Sequence, residues 1–142
     1  MRLLVIDASV AAKWLFQDET LVTEAVALLD RYDQGKVQLL VPDLFWAESG
    51  NILWKAARRG RCTREKAEAS MLRLKDLHFA TVTSQGLIEQ AIRIAGDFDR
   101  TVYDSIYVAL ALEARAELVT ADEKLANAVA AYLPVKWLGA WS

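Results

Sequence analysis

Leu3-Leu4-Val5-Ile6 is an unbroken apolar run that stops at Asp7. A strand with one wet face would interleave polar residues, so a run without them must be covered on both sides. Strands buried in this way belong to parallel sheets, and parallel neighbours need long crossover connections, usually helices. Short apolar runs recur at 38–41, 79–82, 118–120 and 135–138. Between them, helical patterning predicts helices over 8–16, 20–32, 44–59, 63–74, 84–95, 101–115 and 123–131. Asp43, Thr63, Ser84 and Thr101 sit where N-caps belong, and Gly35 and Gly60 where helices end. Strand and helix in alternation predict an α/β fold: a three-layer α/β/α sandwich around a central, mainly parallel sheet.

Composition narrows the chemistry. A chain of 142 residues, 54% hydrophobic and 25% charged, has the size of one domain and enough apolar surface for a core. Its uncharged stretches fall short of the ~18–20 residues of a membrane span. The start reaches Arg2 and Asp7 without the apolar core of a signal peptide, so a cytoplasmic protein without a membrane partner is expected. The single cysteine, Cys62, excludes an internal disulfide and a cysteine-based zinc site. The single histidine, His78, leaves no histidine triad, and is expected to pack or face water at a strand entry. Any catalysis falls to carboxylates.

Four acids stand in unusual places. Asp7 follows the first strand directly, and Asp122 follows Leu118-Val119-Thr120 by one residue. The carboxyl ends of parallel strands line the crevice where ligands bind, although an Asp there also suits the N-cap of the next helix. Glu48 lies about five residues into a helix crowded with apolar side chains, and Asp104 begins one that is apolar almost all round. Such helices are expected to be largely buried, where an unpartnered carboxylate costs several kcal/mol. Thr101 and Asp104 have the spacing of a capping box, whereas Glu48 has no such role and has Asn51 on its own face. Lys13 lies one helix face from Asp7, and Lys124 lies near Asp122. Four carboxylates without protein cations invite a hard divalent ion, Mg²⁺ or Mn²⁺ rather than zinc.

Competing α/β sites fail on particular residues. A haloacid-dehalogenase-type phosphatase needs an Asp at the position of Ser9, and no phosphate-binding P-loop, dinucleotide fingerprint or nucleophile elbow occurs. Charge is uneven as well. The net charge is only −2, yet residues 55–75 hold eight basic against two acidic side chains. That basic stretch suits a polyanion, or simply two solvated helix faces joined at Gly60.

Val5-Ile6-Asp7-Ala8-Ser9-Val10, Pro42-Asp43 leading to Glu48 and Asn51, Val102 to Ala111 around Asp104, and Leu118 to Asp122 occur in that order over nearly the whole chain. In this combination the sequence resembles the PIN domain family, and within it the VapC-type toxin ribonucleases of type II toxin–antitoxin modules. The resemblance implies a single PIN-like domain over 1–142, with Asp7, Glu48, Asp104 and Asp122 as catalytic metal ligands and Ser9 and Asn51 behind them. Glu123, next to Asp122, is a further acid that family members vary in using. The resemblance also implies Mg²⁺- or Mn²⁺-dependent endoribonuclease action on RNA, a homodimer, and inhibition by a cognate antitoxin protein. On that reading Arg58, Arg59 and Arg61 hold the RNA backbone, and Trp14, Trp46 and Trp54 belong to the core or the dimer interface. A non-catalytic PIN-like module that binds RNA or protein is the alternative, and it predicts an incomplete acid set. A purely structural domain with capping acids leaves Glu48 unexplained.

Overall fold

The computed structural model describes residues 1–142. Five strands, β1 (Arg2–Ile6), β2 (Val37–Pro42), β3 (Ala80–Val82), β4 (Glu117–Thr120) and β5 (Val135–Trp137), form one sheet in the order β3-β2-β1-β4-β5. Every pairing is parallel. The apolar run at the start becomes the central strand, and Leu4, Val5 and Ile6 are fully buried. Seven α-helices make the crossovers: α1 (Ala8–Leu15), α2 (Val22–Asp33), α3 (Leu44–Arg58), α4 (Arg64–Lys75), α5 (Ile88–Phe98), α6 (Val102–Ala114) and α7 (Glu123–Val129). No helix is long and apolar enough to cross a membrane.

Handedness sorts the layers. The chain moves outward from β1 to β3 through α1–α4, then returns and continues to β5 through α5–α7. Right-handed crossovers therefore place the first four helices on one face and the last three on the other. The result is the three-layer sandwich expected from the sequence. α6 is the most deeply embedded helix: Ser105 to Ala111 are all buried, and it packs on β1, β2 and β4.

Two expected caps work differently. Asp43 does not cap α3; its carboxylate accepts from the backbone N–H and the hydroxyl of Ser84. Ser84 is thereby spent on joining the β2 and β3 ends, and a 3-10 turn at Gln85–Leu87 precedes α5. The remaining caps hold: Thr63 accepts from Lys66 N–H and Thr101 from Asp104 N–H. His78 is exposed at the entry to β3.

Candidate active site

The strand order reverses between β1 and β4, and parallel sheets open a crevice at such a point. Ile6 pairs with Val119, so the next residues, Asp7 and Thr120, emerge side by side at the carboxyl edge. Asp7 caps α1 by accepting from Ser9 N–H at 3.1 Å, and the same oxygen takes the Ser9 hydroxyl. Its other oxygen takes the Thr120 hydroxyl at 2.5 Å. Both hydroxyls are themselves held by backbone: Ala121 N–H donates to Ser9 Oγ at 2.9 Å and Asp122 N–H to Thr120 Oγ1 at 3.1 Å. Asp7 is only 7% exposed. Burial pushes its carboxyl up to about 6, against the opposing hydrogen bonds from Ser9, Thr120 and the Val10 backbone and with a further push from Asp104.

The other three acids arrive from separate elements. Asp122 is exposed and caps α7, accepting from Leu125 N–H at 3.1 Å. Asp104, in the first turn of α6, is half-buried. Burial and then the Asp122 charge raise its carboxyl above the ordinary value, while Arg100 and the Thr101 side chain pull it down. Glu48 also lies above its ordinary value, through burial and the Asp104 charge, and Tyr107 opposes this. The Tyr107 hydroxyl donates to Glu48 Oε1 at 2.6 Å.

All six residues expected at the site, Asp7, Ser9, Glu48, Asn51, Asp104 and Asp122, line one cleft of about 290 Å³, which Lys55 and Tyr107 complete. Capping and lining are therefore compatible duties for Asp7 and Asp122. Glu123 does not line the cleft. One expectation needs correction: α3 is not a buried helix. Phe45, Ser49, Leu53 and Ala56 face inward, but Asn51, Trp54, Lys55 and Arg58 form an exposed stripe, and Glu48 sits half-buried at its border. Apolar residues on that stripe, Trp54 at 53% exposure above all, give the helix its misleading composition.

The donor set fits a hard cation. None of the four carboxylates is in an ion pair, since the protein's ion pairs join Arg2 to Glu117, Lys13 to Glu19 and Arg61 to Asp18 and Glu19. As the side chains stand, no three acids close on one point to form a complete cage. Mg²⁺ is commonly bound by one or two carboxylates with several waters kept, so a loose set of oxygens suits it better than a tight one.

The basic stretch divides. Arg61 is engaged, 3.0 Å from Asp18, 3.5 Å from Glu19 and over the Phe16 ring. With Leu15, Phe16, Cys62, Lys66 and Arg73 it lines a separate hollow of about 370 Å³ that contains no carboxylate. Arg58 lies over Trp54, and Arg59 is exposed at the end of α3. Trp14 and Trp46 are partly buried beside Phe79.

Three lining or supporting residues escape a reading of the sequence. Thr120 looks like an ordinary strand end, although its pairing with the β1 end would have pointed to Asp7. Tyr107 reads as core in an apolar helix, yet its spacing of three from Asp104 puts both on one face. Lys55 is hidden inside a charge run.

The PIN domain profile matches residues 4–130. Ribonuclease VapC3 of Pyrobaculum aerophilum is 32% identical over 126 residues, covering 87% of this chain and 92% of that protein. Exonuclease VapC9 of the same organism is 31% identical over 108 residues, covering 76% and 80%. A toxin–antitoxin complex from Klebsiella pneumoniae contains a chain similar in fold, with a TM-score of 0.65 at 18% identity over 93% of this chain and 94% of that one.

Proposed function

The chain belongs to the PIN domain family, and from that premise we propose that it is a metal-dependent endoribonuclease, the toxin of a toxin–antitoxin pair. One observation carries the reading: four carboxylates from four separate helices and their caps line a single cleft, and none of them is in an ion pair. Two relatives named as nucleases, each about a third identical, support the reaction class. Their names differ between ribonuclease and exonuclease, and internal cleavage of RNA is the mode proposed for this chain.

Asp7, Glu48, Asp104 and Asp122 would hold Mg²⁺ or Mn²⁺. Bound there, such an ion lowers the pKa of water and neutralises charge on a phosphodiester. The protein's own residues supply position. Ser9 and Thr120 fix both oxygens of Asp7, and Asn51 sits one turn beyond Glu48. Glu48, at the border of the cleft, orients the attacking water. Lys55 is the cleft's one side-chain cation and offers a contact to the incoming phosphate, with Arg58 and Arg59 further along the same helix. A cognate antitoxin would restrain the activity, and the working form would be a cytoplasmic homodimer of one catalytic domain.

Purified protein should cut RNA with Mg²⁺ or Mn²⁺, stop with chelator and resume when metal returns. Glu48→Gln, prepared in parallel to control for contaminating nucleases, should fold and bind RNA but not cut it. Cleavage by this variant at the wild-type rate would remove the assignment.

A further inference from the structure

We propose that Tyr107 is a positioning residue that holds Glu48 with one carboxylate oxygen engaged and the other turned to the cleft. Glu48 is the one acid of the four that reaches the site on a long side chain from a helix facing water. Free, it would spread over several rotamers, and ordering such a chain costs entropy. Tyr107 supplies the constraint. Its ring is 2% exposed, packed in the most deeply buried helix, and its hydroxyl donates to Glu48 Oε1 at 2.6 Å. The phenol oxygen therefore ties the cleft border of α3 to the second turn of α6.

A buried tyrosine hydroxyl needs an acceptor, and a backbone carbonyl would serve. Here the acceptor is a carboxylate of the cleft on a different helix. Groups that orient ligating carboxylates from behind are worth about 10–100-fold in metal affinity or activity.

The role rests on the reading of Glu48 as a metal- or water-holding group, and a double-mutant cycle separates the two claims. Wild type, Tyr107→Phe, Glu48→Gln and the double variant would be compared by Mn²⁺ titration with electron paramagnetic resonance, by kcat and KM on one RNA, and by thermal melting. Tyr107→Phe is expected to weaken Mn²⁺ binding about tenfold and lower kcat about 10–100-fold, with KM within about twofold and the melting temperature near wild type. In the Glu48→Gln background the same change should have no further effect, because the hydroxyl acts only through that carboxylate. Equal losses in both backgrounds, unchanged Mn²⁺ affinity and kcat, or a collapse in melting temperature would each overturn the proposal. A wild type that binds Mn²⁺ but cuts no RNA would refute the nuclease reading, and the Mn²⁺ cycle would still decide the role of Tyr107.

Discussion

Asp7 and Glu48 line the same cleft but are built in opposite ways. Asp7 stands at the end of the central strand with both oxygens taken by hydroxyls that the backbone itself holds in place. Glu48 stands on a helix with a wet face, half-buried, with one oxygen bonded to one phenol. The sheet-edge wall is set by strand pairing and by a closed set of hydrogen bonds. On the helix wall, Glu48 is held by a single side-chain contact. The proposed reaction, with an ion gripped and a bulky polyanion admitted, would gain from one wall of each kind.

The largest effects should show where the two walls agree. Asp7→Asn and Glu48→Gln should each lower RNA cleavage by on the order of 10²–10⁴-fold, as measured by single-turnover assays. Changing length instead of charge should separate them. Asp7→Glu pushes a methylene into a filled position and should cost about 1–3 kcal/mol of stability, whereas Glu48→Asp should cost less than about 1 kcal/mol. Equal losses in urea melts would break the comparison.

Thr120→Val keeps the shape and removes one donor to a buried carboxylate, so a loss of about 1–3 kcal/mol is expected. The pH profile gives a further distinction. Asp7 has a folded pKa of about 6 against an ordinary 3.8. Between those values the folded chain holds the proton more firmly than the unfolded one, so stability falls as pH rises from about 4 to about 6 and then levels off. The drop is on the order of 1–3 kcal/mol, and melting in chelator should show it vanish in Asp7→Asn. Glu48→Gln should leave most of the slope in place. The smallest effect belongs to the basic lobe. Arg61→Ala removes partly exposed ion pairs and should cost about 0–1 kcal/mol. It should change the salt dependence of RNA binding less than neutralising Arg58 and Arg59 does.

Which residues could be read from the sequence follows from the same contrast. Asp7 and Asp122 announce themselves because an acid at the end of an apolar run has few other places to be. Asp104 does so because the helix behind it is apolar throughout. Glu48 was found by a premise that fails, since α3 is not buried; the exposed Trp54 inflated its apolar count. Thr120 and Tyr107 stay hidden because a threonine on a strand and a tyrosine in a core helix are ordinary. Only the register of β1 on β4, and the reach of Tyr107 from α6 to Glu48 on α3, give them their partners. The Asp43 cap failed for a related reason: Ser84, 41 residues away, takes its carboxylate.

The closed ring of Asp7, Ser9, Thr120 and Ala121 joins residues more than 110 positions apart. Contacts of that span form late, after the entropy of closing the loop has been met. On the ribosome, where residues appear in order, a chain emerged only as far as α6 already carries Asp7, Glu48 and Asp104. It lacks β4, so Asp7 has no Thr120 beside it and the cleft has no Asp122. On the proposed reading, the nascent chain would therefore stay inert towards nearby RNA until β4 emerges, simply because the strand that completes the cleft is translated after its other three acids.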